Sequence, residues 1–164
     1  MPARPPGSPG VIRRPPGVAL DSGGLAKGLF ADLIAETLAA HPRFVVDCAG
    51  DLRIGGDGRR VDVRGPQGDV LQRCVAEGGV ATSGISRRSW LDDGGRPAHH
   101  LLDPATGAPA FTGVVQATAF APTALEAEAR AKAALLAGPD GAAGWLPHGG
   151  VVVLDDGSHR VISR

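Results

Sequence analysis

The chain of 164 residues is long enough for one domain with a buried core. Its 17 basic and 17 acidic residues give a formal net charge of +0, which argues against a nucleic-acid-binding protein, because such proteins usually carry a basic excess. Hydrophobic residues make up 43% of the chain and aromatic residues only 4%, so alanine, valine and leucine are expected to fill the core, and no apolar run is long enough to span a membrane.

The N-terminal segment is rich in proline and glycine. Proline lacks the N–H that helices and sheets require, so we predict an irregular tail over 1–17 and a single domain over 18–164. The tail has no hydrophobic leader core and no early cysteine, and the expected location is therefore the cytoplasm. Cys48 and Cys74 match no zinc or redox spacing and are expected to be small apolar side chains buried in strands.

The residues from 21 to 28 combine Asp21, a pair of glycines and Lys27 immediately before a predicted helix. Glycine lets the backbone approach a ligand closely, and a helix start offers free N–H groups to an anion. Two interpretations are open from the residues alone. One is a cradle for a phosphate or nucleotide, and the other is a tight turn with a surface lysine.

Apolar residues at four-residue steps predict an amphipathic helix over 25–40, with Leu25, Leu29 and Leu33 on its apolar stripe and Pro42 ending it. Thr123 and Glu126 form a capping box, which predicts a second helix that ends before the Gly-Pro pair at 138–139.

Short apolar runs predict strands, and turn residues separate them. The predicted strands cover 44–46, 61–63, 70–75, 80–82 and 114–120. Asp57-Gly58 predicts a turn, and residues 155–158 predict a hairpin between strands 151–154 and 160–163. Helices and strands alternate irregularly, which indicates an α+β domain with a mixed sheet and packed helices.

Four stretches, read in order, resemble the motifs of a known family. Residues 21–28 are similar to D-x-G-G-x-A-K-G, 47–53 to N-x-G-G-D-[IV]-R, 82–84 to T-S-G, and 99–107 to H-H-[IL]-[IL]-D-P-x-T-G. These are the motifs of the ApbE family, the FAD:protein FMN transferases. The resemblance runs from about residue 18 to the C-terminus and corresponds to the C-terminal half of a typical member, so the domain is expected to be N-terminally truncated.

The resemblance implies an ApbE-like, T-fold-like domain that moves FMN from FAD to a Thr or Ser of an acceptor protein and releases AMP. It implies FAD as the substrate and Mg²⁺ as the cation. The residues expected to bind the flavin nucleotide are Asp21, Lys27, Thr82, His100, Leu101 and Asp103.

His100 is the residue that the H-x-x-D-P pattern singles out as general base or phosphate contact, and its ordinary pKa of about 6.5 suits proton transfer near neutrality. His99 is expected to be peripheral, because adjacent residues of an extended segment point in different directions. Asp21 can orient the flavin or cap the following helix. Thr82 can bind a phosphate or fix a turn.

The resemblance assigns a metal to Gly24, through its carbonyl, and to the second helix, where relatives carry A-D-A-x-x-T. Here Glu128 and Lys132 stand in place of the aspartate and the threonine. Either the Lys132 ammonium takes the place of the metal while Glu128 pairs with it, or the two form an ordinary helix pair and metal binding is lost.

Three hypotheses on activity follow. The chain is an active FAD:protein FMN transferase, or a non-catalytic FAD-binding remnant of one, or an enzyme that cleaves FAD to FMN and AMP with water as the acceptor.

Overall fold

An antiparallel sheet and two helices make up most of the fold. The computed structural model describes residues 13–163. The elements in chain order are α1 (Ala26–Thr37), β1 (Phe44–Cys48), β2 (Asp51–Arg64), β3 (Val70–Gly84), β4 (Ser89–Leu91), β5 (Pro97–His99), β6 (Val114–Ala121), α2 (Ala124–Leu136), α3 (Gly138–Gly141), a 3-10 turn (Ala142–Trp145), β7 (Gly150–Leu154) and β8 (His159–Ile162).

The main sheet has the strand order β1-β2-β3-β6-β7-β8, and every neighbouring pair in it is antiparallel. The α+β class is confirmed, and the sheet is antiparallel throughout rather than mixed. Strands β4 and β5 form a separate two-stranded sheet. The hairpin predicted at residues 155–158 is confirmed between β7 and β8, where Gly157 adopts a φ of 85°.

The turn predicted at Asp57-Gly58 is wrong, because both residues lie inside β2. The pairing of β2 with β3 shifts register between Ile54 and Arg59 instead. Such an irregularity bends a strand without ending it. Asp57 and Gly58 therefore coincide with an irregularity in the strand pairing, but β2 continues through them.

The long β2–β3 hairpin bends back over the sheet. Arg64 pairs with Val70 at one end of β3, whereas Gln116 pairs with Gly84 at the other end. Yet Gln116 Nε2 donates a 2.6 Å hydrogen bond to the Arg64 carbonyl. The apolar residues enclosed on this face are Ile54, Val63, Ala76, Val80, Phe120 and Val151.

Helix α2 covers the opposite face of the sheet through alanines. Ala127, Ala131 and Ala134 are fully buried, and Ala117 and Ala119 of β6 are buried as well. The predicted capping box is confirmed, because Thr123 Oγ1 accepts a 3.2 Å hydrogen bond from the Glu126 N–H. Small side chains on both elements let the helix lie close to the sheet.

Helix α1 packs on α2 and on the sheet edge at β1 and β2. It spans Ala26–Thr37, somewhat shorter than the predicted 25–40. Its buried positions are Gly28, Ala31 and Ala35. The predicted apolar stripe is not its buried face, since Leu25, Leu29 and Leu33 remain 41–47% exposed.

Other predictions concern the ends and the cysteines. Of the predicted tail 1–17, residues 1–12 lie outside the described residues, and 13–17 contain no helix or strand. Cys48 and Cys74 lie in strands β1 and β3, as expected, but they are half-buried rather than buried, and neither is part of a disulfide among residues 13–163. No helix within those residues is long and apolar enough to cross a membrane.

Candidate functional site

Four charged side chains meet where α1, α2 and the start of β2 converge. Lys27 Nζ donates a hydrogen bond to Asp51 and lies 3.5 Å from Glu128 Oε1. Lys132 Nζ donates to the same Glu128 oxygen at 3.0 Å. We call Lys27, Asp51, Glu128 and Lys132 the charge cluster. Its carboxylates are each 2% exposed, whereas the side chains of Lys27 and Lys132 are 33% and 22% exposed.

The packing of the two helices builds this cluster. Glu128 and Lys132 stand one turn apart on α2, which places them on one face of the helix. The Gly28 N–H donates a 2.9 Å hydrogen bond to Glu128 Oε2. That bond is possible because α1 lies so close to α2 that a Cβ at Gly28 would come 2.5 Å from the Ala124 carbonyl oxygen. The glycine-rich loop and the α2 motif, far apart in sequence, therefore meet.

Charge and burial oppose each other at the two carboxylates. Burial acts to raise the pKa of Glu128, but the Gly28 N–H, Lys132 and Lys27 outweigh it and the pKa is lowered. At Asp51 burial dominates and the pKa is raised, although Lys27 acts against it. Glu128 is therefore the carboxylate that holds its negative charge most firmly.

The residues present do not fit a Mg²⁺ ion. Gly24 does lie beside Lys132, because a Cβ on Gly24 would be 3.7 Å from the Lys132 Cε. Both oxygens of Glu128 are already engaged, however, by Gly28 and by the two lysines. Within residues 13–163 no three His, Cys, Asp or Glu side chains gather in a way that can hold a metal.

Electrostatics argue against the ion as well. Two unit charges of like sign 4 Å apart repel by roughly 4 kcal/mol at an effective dielectric constant of about 20, and a divalent ion doubles that. A cation bound at Glu128 would face this repulsion from both Lys27 and Lys132. The predicted metal residues Gly24, Glu128 and Lys132 thus lie together, but as a lysine-filled site.

The two adjacent histidines have different surroundings. His99 is 1% exposed, its Nδ1 accepts a 3.3 Å hydrogen bond from the Leu101 N–H, and its ring meets Phe111 edge-on at 4.6 Å. His100 is exposed. Partial burial of its ring lowers the pKa of His100, and the positive charges of Arg88 and Lys132 lower it further. A hydrogen bond with the Arg88 backbone acts in the opposite direction and raises the pKa. The net direction of the shift is downward, which favours the neutral form of the His100 ring.

The loop after the histidines is tied together internally. Asp103 Oδ1 accepts a 2.7 Å hydrogen bond from the Ala105 N–H, and the Asp103 carbonyl accepts one from Gly107 at 2.7 Å. The Leu101 side chain belongs to the core, and its carbonyl accepts from Ala110 at 3.0 Å. Leu101 and Asp103 shape the loop, and their roles in binding a nucleotide stay predictions.

Thr82 lies apart from the charge cluster. Ala81 packs against Ala127 of α2, so the next residue, Thr82, points to the opposite face of the sheet. There Thr82 Oγ1 forms a 2.8 Å hydrogen bond with Thr118 Oγ1 on β6. Thr82 therefore points away from the face that carries α2, its hydroxyl bonds within the sheet, and its expected contact with a phosphate stays a prediction.

Asp21 does not cap the helix that follows it. Its Oδ1 accepts a 2.7 Å hydrogen bond from the Gly23 N–H within its own turn, and the side chain is exposed. The residue at the start of α1 is Leu25, which has no side-chain acceptor. The capping interpretation is wrong, and the expected contact with a flavin stays a prediction.

Asp51 is a site residue that sequence reasoning missed. It lies in the motif at 47–53, directly after the β1–β2 turn, where Ala49 and Gly50 both have positive φ. The signal was the Gly-Asp pair that follows a predicted strand, but only the fold brings Asp51 to Lys27. A cavity of about 440 Å³ includes Arg53 and Gly78 and shares no residue with the charge cluster.

Comparison with known proteins decides the family. The profile of the ApbE family matches residues 3–154. The chain belongs to the ApbE family. It is 37% identical over 141 residues to a protein of Treponema pallidum named FAD:protein FMN transferase, a match that covers 74% of this chain and 39% of that protein. A protein of the same name from Escherichia coli is 31% identical over 136 residues, which covers 76% of this chain and 38% of the relative.

A solved structure agrees with the assignment. The ApbE protein of Thermotoga maritima superposes with a TM-score of 0.76 at 32% identity, covering 89% of this chain and 52% of that protein. The ApbE-like fold expected from the motifs is therefore confirmed. The chain spans about two fifths of the length of the curated relatives it matches.

Proposed function

We propose that this ApbE-family chain is a FAD:protein FMN transferase that attaches FMN from FAD to a Thr or Ser hydroxyl of an acceptor protein and releases AMP. The observation that carries the proposal is the meeting of Lys27 and Lys132, each partly exposed, beside the glycine-rich loop at Gly24. The name of the Treponema pallidum relative supports FAD as the donor.

The reaction forms a P–O bond from the acceptor hydroxyl to the FMN phosphorus and breaks the P–O bond to AMP. The hydroxyl proton leaves as the new bond forms. Lys27 and Lys132 offset negative charge on the pyrophosphate, and a neutral His100 accepts the proton through a ring nitrogen. Buried Asp51 and Glu128 hold the two lysines in position. No Mg²⁺ is assigned a part, because the lysines already occupy Glu128.

Mass spectrometry of an acceptor protein tests this function. The purified chain, FAD and an acceptor with a flavinylation threonine are incubated, and the acceptor is expected to gain the mass of one FMN while AMP appears. His100→Ala is expected to abolish the gain. His159→Ala is the matched control, because His159 is an exposed histidine on β8 with no place in the site.

Non-catalytic FAD binding is the second candidate, and the pairing of Lys132 with Glu128, where the family motif carries a threonine and an aspartate, favours it. It predicts saturable quenching of flavin fluorescence with neither a mass gain nor AMP. AMP without any acceptor would instead indicate hydrolysis of FAD. The acceptor protein, its Thr or Ser and the cytoplasmic location stay predictions.

A further inference from the structure

We infer that the Lys132 ammonium takes the position of a divalent cation at Glu128, so that this chain binds the phosphates of its nucleotide without a metal. The inference rests on the proposed function for the identity of the nucleotide, FAD. Its statement about the cation rests only on the charge cluster.

Both carboxylate oxygens of Glu128 already have protein donors as partners. Its side chain is 2% exposed, and its two oxygens accept from three donors, the Gly28 N–H at 2.9 Å, Lys132 at 3.0 Å and Lys27 at 3.5 Å. A carboxylate that ligates an ion needs an oxygen directed at that ion. Here both oxygens are directed at protein donors.

The charge balance of the cluster also argues against an added cation. Two ammonium groups face two carboxylates, since Lys27 also donates to Asp51. The two positive and two negative charges of the charge cluster cancel, so the cluster needs no added ion for charge balance. A divalent cation would leave an excess of two positive charges in a region where both carboxylates are nearly inaccessible to water.

Lys132 lies beside the glycine-rich loop that precedes α1. The Gly24 backbone lies against the Lys132 side chain, at the end of the glycine pair that precedes α1. The Lys132 side chain is 22% exposed and that of Lys27 33% exposed, so both side chains are partly open to solvent. Two lysines beside a glycine-rich loop match the phosphates of a nucleotide.

An ordinary surface helix pair would look different. The pair Arg130–Glu126 on the same helix is one, since its side chains are 27% and 34% exposed and the further bond of Arg130 runs only to the backbone of Trp145, at 3.5 Å. Lys132–Glu128, by contrast, includes a carboxylate that is 2% exposed and bonded to α1. The geometry thus favours the first of the two interpretations open from the sequence.

Electron paramagnetic resonance of Mn²⁺ tests the cation directly, without FAD or transfer. The purified chain is titrated with Mn²⁺, and the signal of the free ion is expected to stay, because no site binds it. The double variant Glu128→Asp, Lys132→Thr restores the residues that relatives carry, and it is expected to remove about one equivalent of free signal. Stoichiometric binding by the unaltered chain would overturn the inference, and so would a folded double variant that gains no site.

Titration of FAD by flavin fluorescence tests the phosphate contact. In excess EDTA the unaltered chain is expected to bind FAD as tightly as in Mg²⁺. Lys132→Met is expected to weaken FAD binding in EDTA by about tenfold or more, the loss of one charge-assisted hydrogen bond. Arg130→Met, which removes a cation of the ordinary pair, is expected to change it less than about twofold.

The outcomes separate this inference from the proposed function. FAD binding in EDTA without any transfer would count against the transferase and support the metal-free site. Transfer that EDTA abolishes would support the transferase and overturn the metal-free site. If FAD binds under neither condition, the phosphate contact is overturned, and the Mn²⁺ titration still decides the place of Lys132. Circular dichroism and thermal melting verify that each variant is folded.

Discussion

Helices α1 and α2 pack on each other, yet their apolar residues are used in opposite ways. Helix α2 buries apolar side chains, which include Ala127, Ala131, Ala134 and Leu135. Helix α1 buries Gly28, Ala31 and Ala35 and leaves its large side chains 41–57% exposed. The exposed ones are Leu25, Leu29, Phe30, Leu33 and Ile34. The buried face of α1 therefore carries only small residues, because the close approach of the two helices leaves no room there for large ones.

Among changes where α1 and α2 meet, the largest effect is expected from Gly28. A Cβ there would stand 2.5 Å from the Ala124 carbonyl oxygen, so Gly28→Ala forces the helices apart and breaks the bond to Glu128. We expect the free energy of unfolding to fall by about 1–3 kcal/mol, measured by urea denaturation. Gly144→Ala is the control, because nothing lies within 4 Å of a Cβ at that position. Equal stability of the two variants would mean that α1 and α2 are not in close contact.

Asp32 is expected to have the next largest effect, because it joins the two helices by hydrogen bonds. Its oxygens accept from the N–H groups of Ala124 and Leu125, each at 2.9 Å, at the start of α2. Asp32→Ala leaves both donors without this acceptor and should cost about 1–2 kcal/mol in urea denaturation. Asp32→Asn keeps one acceptor oxygen and should recover part of the loss. A loss in Asp32→Ala below about 0.5 kcal/mol would contradict the role.

Acid should weaken the joint between the helices through Glu128. The folded pKa of Glu128 is below its ordinary value of 4.5, so its contribution to stability is complete above that pH and is lost as the pH falls through the folded pKa. Glu128→Gln should therefore show a shallower acid decline in the free energy of unfolding. Glu126→Gln, in the half-buried pair with Arg130, should keep the steep decline. Identical pH curves for Glu128→Gln and the unaltered chain would contradict the assignment.

The smallest effect is expected on the outer face of α1. Phe30 is 57% exposed, so Phe30→Gln should change the free energy of unfolding by no more than about 0.5 kcal/mol. Leu135→Ala on α2 is the contrast, since Leu135 is 0% exposed and its truncation should cost about 2–5 kcal/mol. A large loss in Phe30→Gln, measured by thermal melting at several protein concentrations, would mean that this face is covered in solution.

Local signals predicted the parts of the fold that depend on neighbouring residues. The capping box at Thr123 and the turn residues at 155–158 each name their own structure, because the hydrogen bonds involved join residues a few positions apart. The turn predicted at Asp57-Gly58 is wrong because β2 pairs with β3 on both sides of these residues. That pairing and the bond from Gln116 to Arg64 join residues far apart in the sequence, which no local pattern encodes.

The candidate site was predictable only through its motifs. These named Gly24, Lys27, Glu128 and Lys132, and the fold brings all four together. They did not reveal that Asp51 completes the cluster, nor that Thr82 lies on the other face of the sheet. Both depend on which strand residue faces which side, and a sequence without known pairing leaves that undetermined.

The bonds between α1 and α2 have a consequence for hydrogen exchange. The N–H groups of Ala124 and Leu125 belong to the first turn of α2, where amide protons ordinarily exchange with water rapidly. Here both N–H groups donate hydrogen bonds to Asp32, and the Gly28 N–H donates one to Glu128. None of the three can therefore exchange until the two helices separate. Their deuterium uptake therefore measures the opening of this joint rather than fraying, and a nucleotide held by the charge cluster should slow all three together.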